Sequence, residues 1–139
     1  MADVLGELDR YIEEHLAESL EDLRRLTAIP SVSSKHEGIE EAAAFVRDLL
    51  AGAGFEARVL TTEGHPVVYG DSGANANSAN SKTMLLYNHY DVQPAEPLDL
   101  WDSPPFELTE REGRVYARGV SDDKGQLISR LAAIRAVRA

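Results

Sequence analysis

The sequence predicts an α/β protein. Three features carry this prediction: two amphipathic helical patterns in the first part of the chain, a continuous apolar run in the middle, and a third helical pattern at the end. The chain has 139 residues, of which 43% are hydrophobic and 27% are charged. That length and composition are typical of a globular domain and not of a disordered or fibrous chain.

Two helices are predicted before the first strand. Apolar residues recur at steps of three and four over residues 2–27 and again over residues 37–53. Pro30 ends the first helical region, and the small polar residues at 31–34 indicate a loop. Two glycines bracket the end of the second helix, which is typical of a C-terminal cap.

Strands are predicted next. Residues 55–61 alternate between apolar and polar, and residues 66–69 offer a short second strand. We expect residues 70–81 to be a flexible connector, because they lack the Gly-Lys-Ser/Thr ending of a phosphate-binding loop. The apolar run at 83–87 predicts a strand buried on both faces of a sheet. Two short β segments are predicted at 106–108 and 114–117, and a final helix at 126–138.

Composition excludes several classes of function. Acidic residues outnumber basic ones by 24 to 14, which argues against a nucleic-acid or anionic-membrane partner. The absence of cysteine excludes disulfides, thiolate catalysis and cysteine-type zinc sites. No secretory signal and no apolar run of membrane-spanning length are visible, so we expect a cytoplasmic protein. The acidic faces of the first two helices indicate solvated surfaces, with an acidic docking surface as the alternative.

His89 and Asp91 directly follow the predicted buried strand. Because side chains alternate along a strand, we expect both to point to the same side. Ligands of open α/β sheets bind outside the carboxyl ends of strands, where a histidine can bind a metal while a carboxylate orients it. A His-x-Asp pair is a weak signal by itself. A hydrogen-bonded pair without a metal therefore stays an alternative.

A second acidic pair, Asp122 and Asp123, lies between a predicted strand and the final helix. A carboxylate has two oxygens and can bridge two divalent ions. The alternative is helix capping by one of these acids or by Ser121, because acids stabilise the positive end of a helix.

Three motifs in order carry a family resemblance: NHYDVQP at 88–94, WDSPPFEL at 101–108 and YARGVSDDKG at 116–125. They resemble the dizinc metallopeptidase family of aminoacylases, acetylornithine and succinyl-diaminopimelate deacylases, carboxypeptidase G and carnosinase. Residues 29–33 and 65–68 are similar to the same family. The motifs at 88–94 and 101–108 are most similar to its dipeptidase branch. The resemblance implies part of a three-layer, zinc-exopeptidase-like catalytic domain with a mixed central sheet.

The resemblance also implies roles for particular residues. His89 matches a ligand of one zinc ion, Asp91 the catalytic acid that orients it, and Asp122 the carboxylate that bridges both ions. It further implies a cis peptide bond between Asp122 and Asp123, with Asp123 supporting the geometry or capping the helix. Lys124 and Gly125 match the motif without an assigned role. The remaining histidines match no ligand and are expected at the surface or in packing: His15, His36 and His65.

The function implied is that of a zinc-dependent amidohydrolase that cleaves dipeptides or small peptides with metal-activated water. Two Zn²⁺ ions are implied, with Mn²⁺ or Co²⁺ as alternatives, in a homodimeric parent protein. Two other functions stay open: an N-acyl amino acid deacylase on the same scaffold, and a non-enzymatic acidic interaction module.

The family's catalytic glutamate lies beyond the paired aspartates, yet no glutamate follows Glu112 in this sequence. We therefore expect residues 1–139 to be the N-terminal part of a catalytic domain, without its remaining segment and without the lid and dimerisation domain. Such a fragment is expected to be inactive, to bind zinc too weakly for a stable site, and to self-associate through exposed strand edges.

Overall fold

A computed structural model describes residues 3–73 and 82–139. The described residues form helices α1 (Val4–Ala28), α2 (Ile39–Gly52) and α3 (Lys124–Arg138), and strands β1 (Glu56–Leu60), β2 (Val67–Asp71), β3 (Thr109–Arg111) and β4 (Arg114–Tyr116). Short 3₁₀ helices lie at Ser33–Lys35 and Leu98–Leu100. The α/β class and the three predicted helices are confirmed. Most of the predicted connector at 70–81 lies outside the described residues.

The hydrophobic core forms where α1 and α3 pack together and α2 packs on the β1–β2 pair. Its members come from the apolar stripes of the helices, as the periodicity requires. Leu26 at the end of α1 is fully buried. The core cluster consists of Leu23, Leu26, Val46, Leu49, Leu108, Ile128 and Leu131.

The described strands form two small antiparallel sheets. Strands β1 and β2 pair from Glu56 opposite Asp71 to Leu60 opposite Val67. Strands β3 and β4 form a tight hairpin. Its turn residues are Glu112 and Gly113, with φ of 51° and 72°. Two left-handed residues in succession are what a two-residue hairpin turn requires.

The buried strand predicted at 83–87 is wrong. Among the described residues no strand pairs with this segment, and Leu85 is 87% exposed. An apolar run becomes a buried strand only where neighbouring strands and helices cover it, and β1–β4 pair with one another instead. The chain therefore presents an extended apolar segment, residues 84–87, at its surface.

The β segment predicted at 106–108 is also wrong, because the strand begins at Thr109. The amide of Glu107 donates to the carbonyl of Pro104 at 3.1 Å, which closes a turn around Pro105. Leu108 contributes to the core from this turn and not from a strand.

The loop between α1 and α2 holds the segment that carries His89. Ser31 is fully buried, and its hydroxyl donates to the Tyr90 carbonyl at 2.6 Å. The amide of Val92 donates to the Ser31 carbonyl at 2.8 Å, and Val32 forms a parallel bridge with Val92. These contacts fix residues 90–92 against the end of α1. In the described part of the chain, no helix is both long and apolar enough to cross a membrane.

Candidate metal centre

The His89 imidazole lies between two carboxylates. Its Nδ1 lies 3.1 Å from Asp91 Oδ1 and also 3.1 Å from the Asp91 carbonyl oxygen. Its Nε2 lies 2.9 Å from Asp122 Oδ1. The side chains of His89 and Asp91 thus meet as expected, although the strand that motivated this expectation is absent. With Nδ1 donating to Asp91, Nε2 is the nitrogen that faces Asp122.

The two acids determine the electrostatics of the imidazole. Burial acts to lower the pKa of His89, but the hydrogen bond to Asp122, the backbone contact with Asp91 and the charges of both carboxylates act to raise it. The net effect raises the pKa of His89 above its ordinary value. The two carboxylates therefore favour the protonated, positively charged form of the imidazole.

Asp122 and Asp123 point in different directions from adjacent positions. The Asp122 side chain is 83% exposed, whereas Asp123 is only 7% exposed. The peptide bond between them is cis, as the resemblance implies. Asp123 Oδ2 accepts from the His89 amide at 3.0 Å and from Asn88 Nδ2 at 2.7 Å. Asp123 occupies the N-cap position of α3 but makes no side-chain capping hydrogen bond there, and its side-chain contacts are those of a geometric support.

Lys124 is fully buried, which the sequence analysis missed. Its ammonium donates to the carbonyls of Leu26 and Ile29 at 2.9 and 2.6 Å, joining the start of α3 to the end of α1. Burial lowers its pKa to about 8. The sequence does contain a signal for this burial, because Lys124 lies four residues before Ile128 and therefore on the same buried stripe of α3.

Gly119 allows this packing. It has a φ of 89°, and a Cβ at this position would lie 2.8 Å from Val92 Cγ1 and 3.0 Å from Lys124 Cδ. Only glycine fits both the left-handed backbone and this close approach.

A cleft of about 540 Å³ opens beside the centre, with His89, Asp91 and Asp122 in its wall. Trp101 and Arg118, from the second and third sequence motifs, also line it. The Arg118 guanidinium lies 5.1 Å from the Trp101 ring centroid and donates to the Pro94 carbonyl at 3.0 Å. The sequence analysis gave neither residue a role. Both help to shape the cleft, whose volume suits a small-molecule ligand.

The other histidines have partners away from the centre. The His15 ring stacks on the Tyr11 ring, with 4.0 Å between the two ring centroids. Its Nδ1 lies 2.8 Å from the Tyr11 carbonyl oxygen. His65 Nε2 lies 3.0 Å from the Ser33 carbonyl oxygen, and its ring lies 4.9 Å from that of His36. These contacts agree with the expected packing and surface roles.

The donor types of the centre fit a divalent metal, but their number falls short. Imidazole nitrogen and carboxylate oxygen are zinc ligands, and a catalytic zinc site has about three protein ligands plus water. Residues 3–73 and 82–139 contain no group of three or more such side chains arranged to hold a metal ion. The described residues bring together two side chains of suitable donor type, His89 Nε2 and Asp122 Oδ1, which lie 2.9 Å apart.

Comparison with known proteins gives a consistent result. Residues 85–139 match the sequence model of peptidase family M20/M25/M40. The chain is 38% identical to a Cys-Gly metallodipeptidase of Schizosaccharomyces pombe over 146 aligned residues, covering 95% of this chain and 30% of the relative. It is 29% identical to a succinyl-diaminopimelate desuccinylase of Herminiimonas arsenicoxydans, covering 85% of this chain and 29% of the relative.

Solved structures agree with the sequence comparisons. An M20 family metallo-carboxypeptidase from Sulfolobus solfataricus superimposes with a TM-score of 0.80 at 43% identity, covering 87% of this chain and 27% of that one. A dipeptidase from Saccharomyces cerevisiae superimposes with a TM-score of 0.85 at 29% identity, covering 99% of this chain and 32% of that one. The chain thus spans less than a third of the length of each relative described here.

The fold and motifs of this chain are similar to those of metallopeptidases, a class of enzymes that uses a divalent metal. The chain is related to peptidase family M20/M25/M40, the family that its motifs indicated.

Proposed function

We propose that this chain supplies part of the metal centre of a dipeptidase or small-peptide amidohydrolase. His89 and Asp122 are the metal ligands, and Asp91 is the acid that orients His89. One observation carries the proposal: the His89 ring is held at Nδ1 by Asp91 while its Nε2 faces Asp122. The ions are two Zn²⁺, with Mn²⁺ or Co²⁺ as the alternatives. The dipeptidase relative supports the choice of substrate class.

The residues of the chain prepare the centre. A bound divalent metal supplies a Lewis acid that polarises a carbonyl and lowers the pKa of water. Asp91 accepts from Nδ1 of His89, so Nε2 would bind the metal ion in place of its present contact with Asp122. Asp122 is largely exposed, so its carboxylate is accessible for bridging. The cleft beside the three side chains provides a place for a small substrate.

A second candidate is an N-acyl amino acid deacylase. The similarity to a succinyl-diaminopimelate desuccinylase favours it, because removal of a succinyl group from an amine also hydrolyses an amide bond. The two candidates differ in substrate. A panel containing dipeptides and N-acyl amino acids separates them.

The oligomeric state and the location belong to this proposal as well. We propose a homodimeric parent protein, self-association of the isolated chain through residues 84–87, and a cytoplasmic location. Sedimentation analysis tests the first two, and cell fractionation tests the third.

The activity test uses the complete product of the gene, loaded with Zn²⁺ and given the substrate panel. We expect dipeptide hydrolysis that His89→Ala abolishes and that His15→Ala, as the matched control, leaves unchanged. Hydrolysis of N-acyl amino acids alone would favour the deacylase. An unaltered rate for His89→Ala would contradict the proposed centre. The 139-residue chain by itself is expected to show no turnover, because the described residues lining its cleft include no glutamate that could act as base.

A further inference from the structure

A chain of hydrogen bonds connects α3 to the backbone of His89. Arg130, on the exposed side of α3, donates to Asn88 Oδ1 at 2.9 Å and also to the Tyr87 carbonyl oxygen. Asn88 Nδ2 then donates to Asp123 Oδ2 at 2.7 Å. The same Asp123 oxygen accepts from the His89 amide at 3.0 Å. We call this arrangement the Asn88 bridge.

A primary amide satisfies both neighbours of the bridge. Position 88 must accept from the Arg130 guanidinium, which has no acceptor, and must donate to the Asp123 carboxylate, which has no donor when ionised. Asparagine offers one group of each kind at the correct length. The two partners also fix which end of the amide faces which side.

The bridge lies next to both proposed ligands. Asp123 is buried and adjacent to Asp122, and it accepts a hydrogen bond from the backbone of His89. A carboxylate at this depth needs its donors, because an unpaired buried charge is costly. When Asn88 holds Asp123, it therefore also fixes the backbone from which the His89 ring reaches Asp122.

We propose that Asn88, held by Arg130, is a positioning residue that sets the His89 ring against Asp122 in the metal centre. The inference rests on the proposed function for its metal, but the contacts that carry it belong to this chain. Asn88 touches neither the reacting atoms nor the proposed metal. It acts through Asp123.

The test uses the ¹⁵N-labelled chain and the variant Asn88→Asp. This change keeps the acceptor for Arg130 but turns the donor facing Asp123 into a second negative charge. We expect amide exchange of His89 to accelerate about tenfold or more, and the ¹⁵N shifts of its ring to move towards those of a free imidazole. With Zn²⁺ as the probe, the concentration that half-saturates the His89 signals should rise about 10- to 100-fold, the range typical for partners of a ligand.

Two further variants keep the test decisive. Lys35→Gln removes an exposed ion pair with Glu96 that is not part of the Asn88 bridge, and it should change none of the three readouts. Arg130→Met removes the donor to Asn88 Oδ1 and leaves Asn88 and Asp123 in place, so it should shift the His89 exchange and ring signals in the same direction as Asn88→Asp. Urea unfolding of each variant distinguishes positioning from a general loss of stability.

The outcomes separate the two proposals. The positioning role is refuted if Asn88→Asp leaves the amide exchange rate and the ring ¹⁵N shifts of His89 as they are in the unsubstituted chain. It is also refuted if Lys35→Gln changes these two readouts by the same amount. If even a large excess of Zn²⁺ leaves the His89 signals of the unsubstituted chain unchanged, the proposed metal ligands fail. The ring shifts measured without metal then still decide whether Asn88 positions His89.

Discussion

Replacing the buried Lys124 by methionine tests how the start of α3 is joined to the end of α1. Methionine fills a similar unbranched volume but has no ammonium group. It removes the bonds to the Leu26 and Ile29 carbonyls. Neither carbonyl loses its last partner, because Leu26 still accepts from the Ile29 amide at 3.4 Å and Ile29 still accepts from the Ser31 amide at 2.8 Å.

The magnitude at neutral pH is a balance of two large effects. Hydrogen bonds from a charged donor contribute about 1.5–3 kcal/mol each. Against this, a pKa lowered from 10.5 to about 8 means that burying the charged form costs about 3 kcal/mol. We therefore expect Lys124→Met to change the free energy of unfolding by less than about 3 kcal/mol at pH 7.

The pH dependence is the sharper result. Between pH 8 and pH 10.5 the unfolded chain keeps the proton on Lys124 while the folded chain releases it, so stability rises with pH in this window. The methionine variant lacks this gain. The stability of the parent chain relative to the variant should therefore increase by about 2.5 kcal/mol from pH 7 to pH 10.

Urea unfolding followed by far-UV circular dichroism at pH 7, 8, 9 and 10 measures this difference. Lys35→Met serves as the control, because Lys35 is exposed and its ion pair should contribute less than about 1 kcal/mol. A difference between parent and Lys124→Met that stays constant across this pH range would refute the buried, charged lysine.

Three further changes and one control test the packing and the exposed segment. Gly119→Ala should destabilise the chain by about 2 kcal/mol or more in urea unfolding, because its Cβ would lie 2.8 Å from Val92 Cγ1 on a left-handed backbone. Gly52→Ala is the control: a Cβ at this position would have no atom within 4 Å, so the change should be neutral or stabilising by up to about 1 kcal/mol. Leu26→Ala should cost about 2–5 kcal/mol in the same assay, and a cost below about 1 kcal/mol would contradict its place in the core. Leu85→Lys should abolish concentration-dependent association in sedimentation velocity, whereas a parent chain that stays monomeric at high concentration would refute association through residues 84–87.

The elements that the sequence predicted well are those specified by local pattern. The three helices follow from apolar steps of three and four, and the β1–β2 pair from short alternating runs. The segment at 83–87 differs because a buried strand depends on partners that are distant in sequence. The segment is apolar, as its composition indicates. Whether it is buried depends on the strands and helices that pack against it, and no described strand covers residues 83–87.

The same difference between local pattern and contacts distant in sequence applies to the candidate site. His89 and Asp91 do meet, but the strand whose alternation predicted this contact is absent, and the family motif added Asp122. The buried roles of Asp123 and Lys124 were harder to predict, because acidic and basic residues at a helix start are normally explained by capping and solvent exposure. Asn88 gave no signal, since its function depends on Arg130, which approaches from a helix more than 40 residues further along the chain.

The most direct test of the metal centre is paramagnetic broadening of the ¹⁵N-labelled chain by Mn²⁺. The account predicts that the amide signals of residues 88–92 and 121–123 broaden first, and that His89→Ala removes this broadening while His15→Ala does not. Two results would contradict the assignment of His89 and Asp122 as metal ligands. In one, the broadening centres on the acidic face of α1 and leaves the signals of residues 88–92 sharp; in the other, the broadening at residues 88–92 persists in His89→Ala.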